Sequence, residues 1–282
     1  MNPITIQRVV ETALDEDLGW GDLSTEAVVH GSVGAQATIT ARTGGVIAGS
    51  EVAREVFRRL DPGANYRADV EDGQRFDATD VVARVEGRID ALLSGERVAL
   101  NFLTHLSGIA TVTRRIVDAL GNLPVRIIDT RKTTPGLRAL EKYAVRMGGG
   151  FNHRFDLSGG VLLKENHIAA AGGIGNAVSR AKDYVGHTIL VQVEVTDREG
   201  VRQALEIGAD ALLLDNMSID AMREAVEMVG GRIPVEASGG IEEGTLLSVA
   251  QTGVDLISMG FLTHSAPAVD LSMILEASNR WT

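Results

Sequence analysis

From residue 125 to 259 the chain repeats one pattern, a short apolar run followed by a helical stretch, and this repetition limits its fold more than any other feature. The runs lie at 125–128, 161–164, 189–195, 211–214, 233–236 and 254–259. Unbroken apolar runs of this length mark strands covered on both faces, as in parallel sheets. Six such units at short intervals favour a barrel over an open doubly wound sheet. Each run ends in polar, chemically capable residues: Asp129, Arg131 and Lys132; Lys164, Asn166 and His167; Glu194; Asp215 and Asn216; Ser238, Gly239 and Gly240; and Gly260 with Thr263, His264 and Ser265. Barrel enzymes build their active sites at this carboxyl-terminal rim.

The preceding residues follow a different rule. Ile6, Val9, Val10 and Ala13 have helical spacing, predicting a helix over 4–18 that ends in the turn Gly19-Trp20-Gly21-Asp22. Alternating runs at Ala37, Ile39 and Ala41, at 46–48, and at Val81, Ala83 and Val85 surround a helix near 51–60, the pattern of a small α+β sandwich. Ser94 is placed to cap a long helix carrying Ala99, Phe102, Leu103 and Leu106, with a kink expected at Gly108. The expected division is a sandwich domain at 1–108, a catalytic α/β barrel at 109–266, and a C-terminal segment at 267–282 that packs back on the first domain.

Composition removes several functions. The absence of cysteine excludes disulfides, thiolate ligands and a cysteine nucleophile. No run approaches the roughly 18 apolar residues of a membrane span, and no apolar segment follows a basic N-terminal flank, so a soluble cytoplasmic protein without a membrane partner is expected. Aromatic residues make up only 4% with no basic aromatic stripe, which argues against nucleic acid. The chain carries a formal charge of −11, yet residues 131–154 hold six basic residues against one acid. A focused cationic site on an anionic body suits a small, highly charged anion.

Arg131 and Lys132, just before Pro135-Gly136, suit a ligand bearing carboxylates, since a guanidinium grips carboxylate bidentately and an ammonium adds a point charge. His153 and Arg154 read as a second cationic wall. Lys164 closes an apolar strand and should meet an anion or an acid such as Glu165. Glu194 and Asp215, from adjacent strands, form a carboxylate pair of the kind that holds Mg²⁺ together with substrate phosphates; Ser218 is the better cap for the next helix. Ser238, Gly239, Gly240, Gly260 and His264 occupy the last strand ends, where barrels bind phosphate. Glu141 and Lys142 read as surface residues beside a stripe of Leu137, Leu140, Ala144 and Met147. His30, His105 and His187 read as structural or surface histidines.

Taken together, Leu18-Gly19-Trp20-Gly21-Asp22, Glu96-Arg97, His105-Leu106-Ser107-Gly108-Ile109-Ala110-Thr111, the block 129–154, Leu212-Leu213-Leu214-Asp215-Asn216-Met217, Glu236-Ala237-Ser238-Gly239-Gly240 and Leu262-Thr263-His264-Ser265 closely resemble the quinolinate phosphoribosyltransferases, over nearly the whole length. The resemblance implies a type II phosphoribosyltransferase fold, an incomplete α/β barrel with an N-terminal sandwich, that makes nicotinate mononucleotide for NAD biosynthesis. It implies that Arg131, Lys132, His153, Arg154 and Lys164 hold quinolinate, and that Glu194 and Asp215 attend the ribose and Mg²⁺. Ser238, Gly239, Gly240, Gly260 and His264 would take the phosphate of phosphoribosyl pyrophosphate, and Lys132, Lys164, Glu194 and Asp215 would be the catalytic set. It also implies a homodimer in which Arg97 enters the partner's site. Two positions depart from the family: Glu165 stands where Asp is common, and Thr196 where an acid is common, so Thr196 is left out of the site. A Schiff-base lyase using Lys164 and a non-catalytic metabolite-binding protein are the rival readings.

Overall fold

The computed structural model describes residues 1–29 and 33–276. His30 and residues 277–282 of the expected C-terminal segment lie outside the described residues. The first elements are α1 (Pro3–Leu18), α2 (Leu23–Val28), β1 (Gly34–Ala41), β2 (Gly45–Val46), α3 (Ser50–Leu60), β3 (Asn65–Ala68), β4 (Arg75–Phe76), β5 (Val81–Arg88) and the long α4 (Ile89–Ala119). There follow β6 (Arg126–Ile128), α5 (Arg138–Met147), β7 (Val161–Leu163), α6 (Glu165–Ala171), α7 (Ile174–Tyr184), β8 (Val191–Val195), α8 (Arg198–Glu206) and β9 (Ala211–Asp215). The last are α9 (Ile219–Val229), β10 (Val235–Ser238), α10 (Leu246–Ala250), β11 (Leu256–Ser258), α11 (Phe261–His264) and β12 (Leu271–Leu275).

The chain forms two compact units. One comprises Met1–Arg114, Thr133–Gly149 and Leu262–Thr282; the other comprises Arg115–Lys132 and Gly150–Phe261. The first cut falls inside α4. Helix α5 belongs to the first unit because its polar side chains bind there: Tyr143 Oη donates to Asp72 at 2.7 Å, and Glu141 meets His105 Nε2 at 2.9 Å.

In the first unit an antiparallel sheet runs β12-β1-β5-β3. Strand β1 alternates as a half-covered strand should, burying Ala35, Ala37, Ile39 and Ala41. β12 pairs with it from Ala37↔Leu275 to Ala41↔Leu271. Helix α3 buries Val52, Ala53, Val56 and Phe57, a one-sided helical stripe, and Phe57 stacks on Tyr66 of β3 at 6.4 Å. Asn2 and Asp22 cap α1 and α2 by accepting backbone N–H groups of Ile4 and Thr25. Ser94 is not a cap. Helix α4 begins at Ile89, and Ser94 lies inside it, donating to Asp22 at 2.9 Å. Helix α4 is continuous through Gly108. A side chain at Gly108 would meet the Pro267 carbonyl at 2.2 Å, so glycine there permits close approach of the 267–268 backbone.

In the second unit six parallel strands run β6-β11-β10-β9-β8-β7. Each of β7 to β11 pairs with its neighbour in sequence, and β11 returns to β6. Among the described residues, only β6 and β7 fail to join, so the barrel is incomplete at that one seam. Phe151 makes a single parallel bridge with Ile128 on the β6 side, under the Arg126 guanidinium at 4.9 Å.

Candidate active site

Strand register sets the level of each side chain at the rim of the barrel unit. Leu163 pairs with Val193, and Glu194 and Glu236 both pair with Leu213. Lys164 therefore leaves β7 level with Glu194, and its Nζ reaches Glu194 Oε2 at 2.7 Å. The expected neighbour, Glu165, is not the partner. Nor is Lys164 buried: its side chain is 52% exposed against 13% for Glu194. β7 ends at Leu163, one residue short of the expected run, so the ammonium stands at the mouth of the barrel.

Asp215 pairs with Ser238, one layer nearer the rim on the same face as Glu194 and Glu236. Its Oδ2 accepts from Asn216 Nδ2 at 2.8 Å. Asn216 has φ +53, and Gly239 and Gly240 have φ +88 and +59. A side chain at Gly239 would strike Asn216 Oδ1 at 2.4 Å. The Ser238-Gly239-Gly240 turn thus lies directly against Asn216, which also carries the Asp215 carboxylate. Beside these residues opens a cavity of about 610 Å³ lined by Glu165, Glu194, Thr196 and Asp215. Asp197, also on its wall, caps α8 by accepting the Gly200 N–H.

The cationic wall rises where β6 ends. Asp129, fully buried, accepts the His153 N–H at 2.8 Å and Asn152 Nδ2 at 2.6 Å, holding the 152–154 segment at the rim. Arg154 Nη1 donates to the Gly160 carbonyl at 2.6 Å. Burial holds the Arg154 guanidinium below its ordinary value, the nearby charge of Arg131 adds to this, and Asp156 opposes it. Lys132 adds its charge beside Arg131, with its backbone N–H tied to Thr130 Oγ1 at 3.0 Å. The ring of His153 is engaged on both sides: Nδ1 accepts the Arg154 N–H at 2.7 Å, and Nε2 lies 3.4 Å from Glu236.

Two family models match the chain: "Quinolinate phosphoribosyl transferase, N-terminal domain" over residues 22–107 and the corresponding C-terminal domain over 109–274. The chain belongs to the quinolinate phosphoribosyltransferase family. It is 43% identical to the probable nicotinate-nucleotide pyrophosphorylase [carboxylating] of Bacillus subtilis, over 99% of this chain and 96% of that one. It is 37% identical to the quinolinate phosphoribosyltransferase [decarboxylating] 2 of Nicotiana glauca, over 96% of this chain and 82% of the other. The crystal structure of NadC from Streptococcus pyogenes superposes with a TM-score of 0.94 at 41% identity, covering 98% of both chains.

Of the family's site residues carried over by motif, the barrel unit contains Arg131, Lys132, His153, Arg154, Lys164, Glu194, Asp215, Ser238, Gly239, Gly240 and Gly260, whereas Arg97 and His264 belong to the first unit. Arg97 is exposed on α4 and makes no ion pair among the described residues. His264 Nδ1 lies 2.5 Å from Ser265 Oγ. Glu141 and Lys142 are buried, at 0% and 3% exposure, not on the surface. Besides His105, Glu141 binds the Thr134 N–H at 3.1 Å, so it anchors the start of the segment that follows Arg131 and Lys132. Its spacing on α5 gave no sign of this because its partners lie elsewhere in sequence. Asp129 and Asn216 stand directly after β6 and β9, at the strand ends, and Glu236 is a further polar residue whose signal in the sequence is an acid inside an apolar strand.

Glu194 and Asp215 each keep one carboxylate oxygen clear of the hydrogen bonds just described. No group of three or more His, Asp or Glu suited to a metal occurs among the described residues. This donor set fits Mg²⁺ held by one or two carboxylates with substrate oxygens completing the octahedron, rather than a protein cage.

Proposed function

We propose that the chain is the quinolinate phosphoribosyltransferase of de novo NAD biosynthesis, converting quinolinate and phosphoribosyl pyrophosphate to nicotinate mononucleotide, pyrophosphate and carbon dioxide. One arrangement supports the reading beyond family membership: buried Asp129 accepts from Asn152 Nδ2 and from the His153 N–H, holding the segment that bears Arg154 at the end of β6, where Arg131 and Lys132 follow. Two like charges held together repel, and a dianion relieves that repulsion. Quinolinate has two adjacent carboxylates that match paired cations.

Arg131, Lys132, His153, Arg154 and Lys164 hold quinolinate, the cations gripping its two carboxylates. The backbone N–H groups of Gly239, Gly240 and Gly260, with Ser238, receive the terminal phosphate. Glu194 and Asp215 orient the ribose hydroxyls. Mg²⁺ bound by Glu194, Asp215 and pyrophosphate oxygens would neutralise charge on the leaving group. The quinolinate nitrogen forms its bond to the anomeric carbon as the bond to pyrophosphate breaks, and basic side chains at the rim stabilise the departing oxygens. The nitrogen, now positively charged, stabilises the electron pair left on the ring carbon when the adjacent carboxylate departs as carbon dioxide. A proton from Lys132 or Lys164 completes nicotinate mononucleotide.

The working assembly is a homodimer in which Arg97 serves the partner's site. Ile4, Trp20, Leu23 and Val28 are strongly exposed on the α1–α2 segment, apolar surface of the kind a partner covers.

Purified protein given quinolinate, phosphoribosyl pyrophosphate and Mg²⁺ should release nicotinate mononucleotide, pyrophosphate and carbon dioxide in equal amounts. Nicotinate should be a far poorer substrate, since leaving one clamp cation unpaired costs about 2–5 kcal/mol. Equal turnover of the two acids would sink the reading.

A further inference from the structure

Behind the cationic wall the barrel interior is polar. Glu236 is 2% exposed; its Oε2 accepts from Gln192 Nε2 at 2.8 Å and lies 3.4 Å from His153 Nε2, while Oε1 has no hydrogen-bond partner. Burial works against its charge, but His153 first, then Ser258 and Gln192, outweigh it and hold the carboxyl below its ordinary range. A carboxylate with one buried oxygen unpaired is a costly way to fill a core. An apolar residue of similar size would pack there at lower cost, so a role beyond packing is indicated.

The role is legible in the imidazole. The Arg154 backbone N–H lies 2.7 Å from His153 Nδ1. A backbone N–H only donates, so Nδ1 must be bare, and the ring hydrogen sits on Nε2, facing Glu236. The other tautomer would set two donors against each other at Nδ1 and leave Nε2 bare before an acceptor.

We infer that Glu236 is a positioning residue for substrate binding: it holds His153 in the Nε2–H form, which keeps Nδ1 open to the Arg154 N–H and fixes the backbone from which the Arg154 guanidinium reaches its anion. His153 then stands behind the clamp as a strut. Asp129 supports the same segment through the His153 N–H, so the ring and the backbone are secured separately. The inference rests on the place of Arg154 in the quinolinate clamp.

Steady-state kinetics of the intact enzyme test it. Glu236→Gln keeps the size and removes the charge; it should raise KM for quinolinate about tenfold while KM for phosphoribosyl pyrophosphate stays within about twofold. His153→Asn keeps an acceptor for the Arg154 N–H but has no ring to orient. Adding Glu236→Gln to it should therefore change quinolinate KM by less than about twofold. An unchanged KM in Glu236→Gln, or a full additional loss in the His153→Asn background, overturns the inference. Should Glu236→Gln fail to fold, nitrogen-15 NMR of the wild-type protein decides: the neutral His153 ring is expected to carry its hydrogen on Nε2, and an Nδ1–H tautomer refutes the inference. Arg154→Ala separates the two levels of the argument. If it raises quinolinate KM and Glu236→Gln does not, only the strut falls; if it too leaves KM unchanged, the clamp assignment fails and takes the strut with it.

Discussion

Lys164 and Glu194 show how a single contact divides stability from chemistry. Their 2.7 Å ion pair has one half-exposed member, and such pairs contribute about 0–1 kcal/mol to folding because water screens them and the side chains lose freedom. Lys164→Ala should therefore melt within a few degrees of wild type. If the ammonium faces developing charge in the reaction, the same variant should lose about two to three orders of magnitude in turnover. A large drop in melting temperature with modest kinetic loss would return Lys164 to a structural role. At this scale the sequence was uneven. The rim cations and the Glu194–Asp215 pair could be named because strand ends are readable. The partner of Lys164 could not, since Glu194 becomes its neighbour only through the β7–β8 register. Glu141 looked like a surface acid for the same reason: nothing local marks a helix position as buried when its partners come from α4 and from the segment before α5.

Glycine positions carry the element-scale argument, because the same substitution has opposite expected signs at two sites. Alanine at Gly108 would meet the Pro267 carbonyl at 2.2 Å and Ala268 Cα at 3.0 Å, both backbone atoms of the segment packed on α4. Overpacking costs about 1–3 kcal/mol, more than the gain of about 1 kcal/mol from replacing helical Gly with Ala. Gly175, in α7, has open space around it and a negative φ, so alanine there should stabilise by about 0.4–1 kcal/mol. Urea unfolding should place Gly108→Ala below wild type and Gly175→Ala above it; the reverse order would mean that the 267–268 segment yields freely. The six barrel strands were legible, within a residue or two, because burial on both faces leaves continuous apolar runs. The start of α4 was not. Ser94 resembles a cap, yet its hydroxyl serves Asp22, itself the cap of α2. β12 was equally hidden, because five residues of ordinary strand composition do not reveal that their partner is β1.

At the scale of the whole molecule, the proposed dimer predicts complementation. Arg97→Ala and Lys164→Ala should each be nearly inactive, yet mixing them with subunit exchange should restore activity, since a heterodimer holds one site lacking both side chains and one complete site. Random pairing at equal amounts makes about half the dimers mixed, so recovery should approach roughly a quarter of wild type for a two-fold symmetric pair with independent sites. No recovery, with exchange confirmed by mass spectrometry, would assign Arg97 to its own subunit's site. The β1–β12 ladder has a consequence for how the chain comes into being. Ala37 cannot meet Leu275 until almost all the intervening polypeptide has been made, and at about 5–20 residues per second that interval lasts on the order of ten seconds or more. The strands of the barrel unit, all synthesised before β12, have every sheet partner they need before the first unit's sheet can close. During translation the site-bearing unit is thus the earlier to mature, and the older end of the chain waits for the younger with one edge of β1 unpaired.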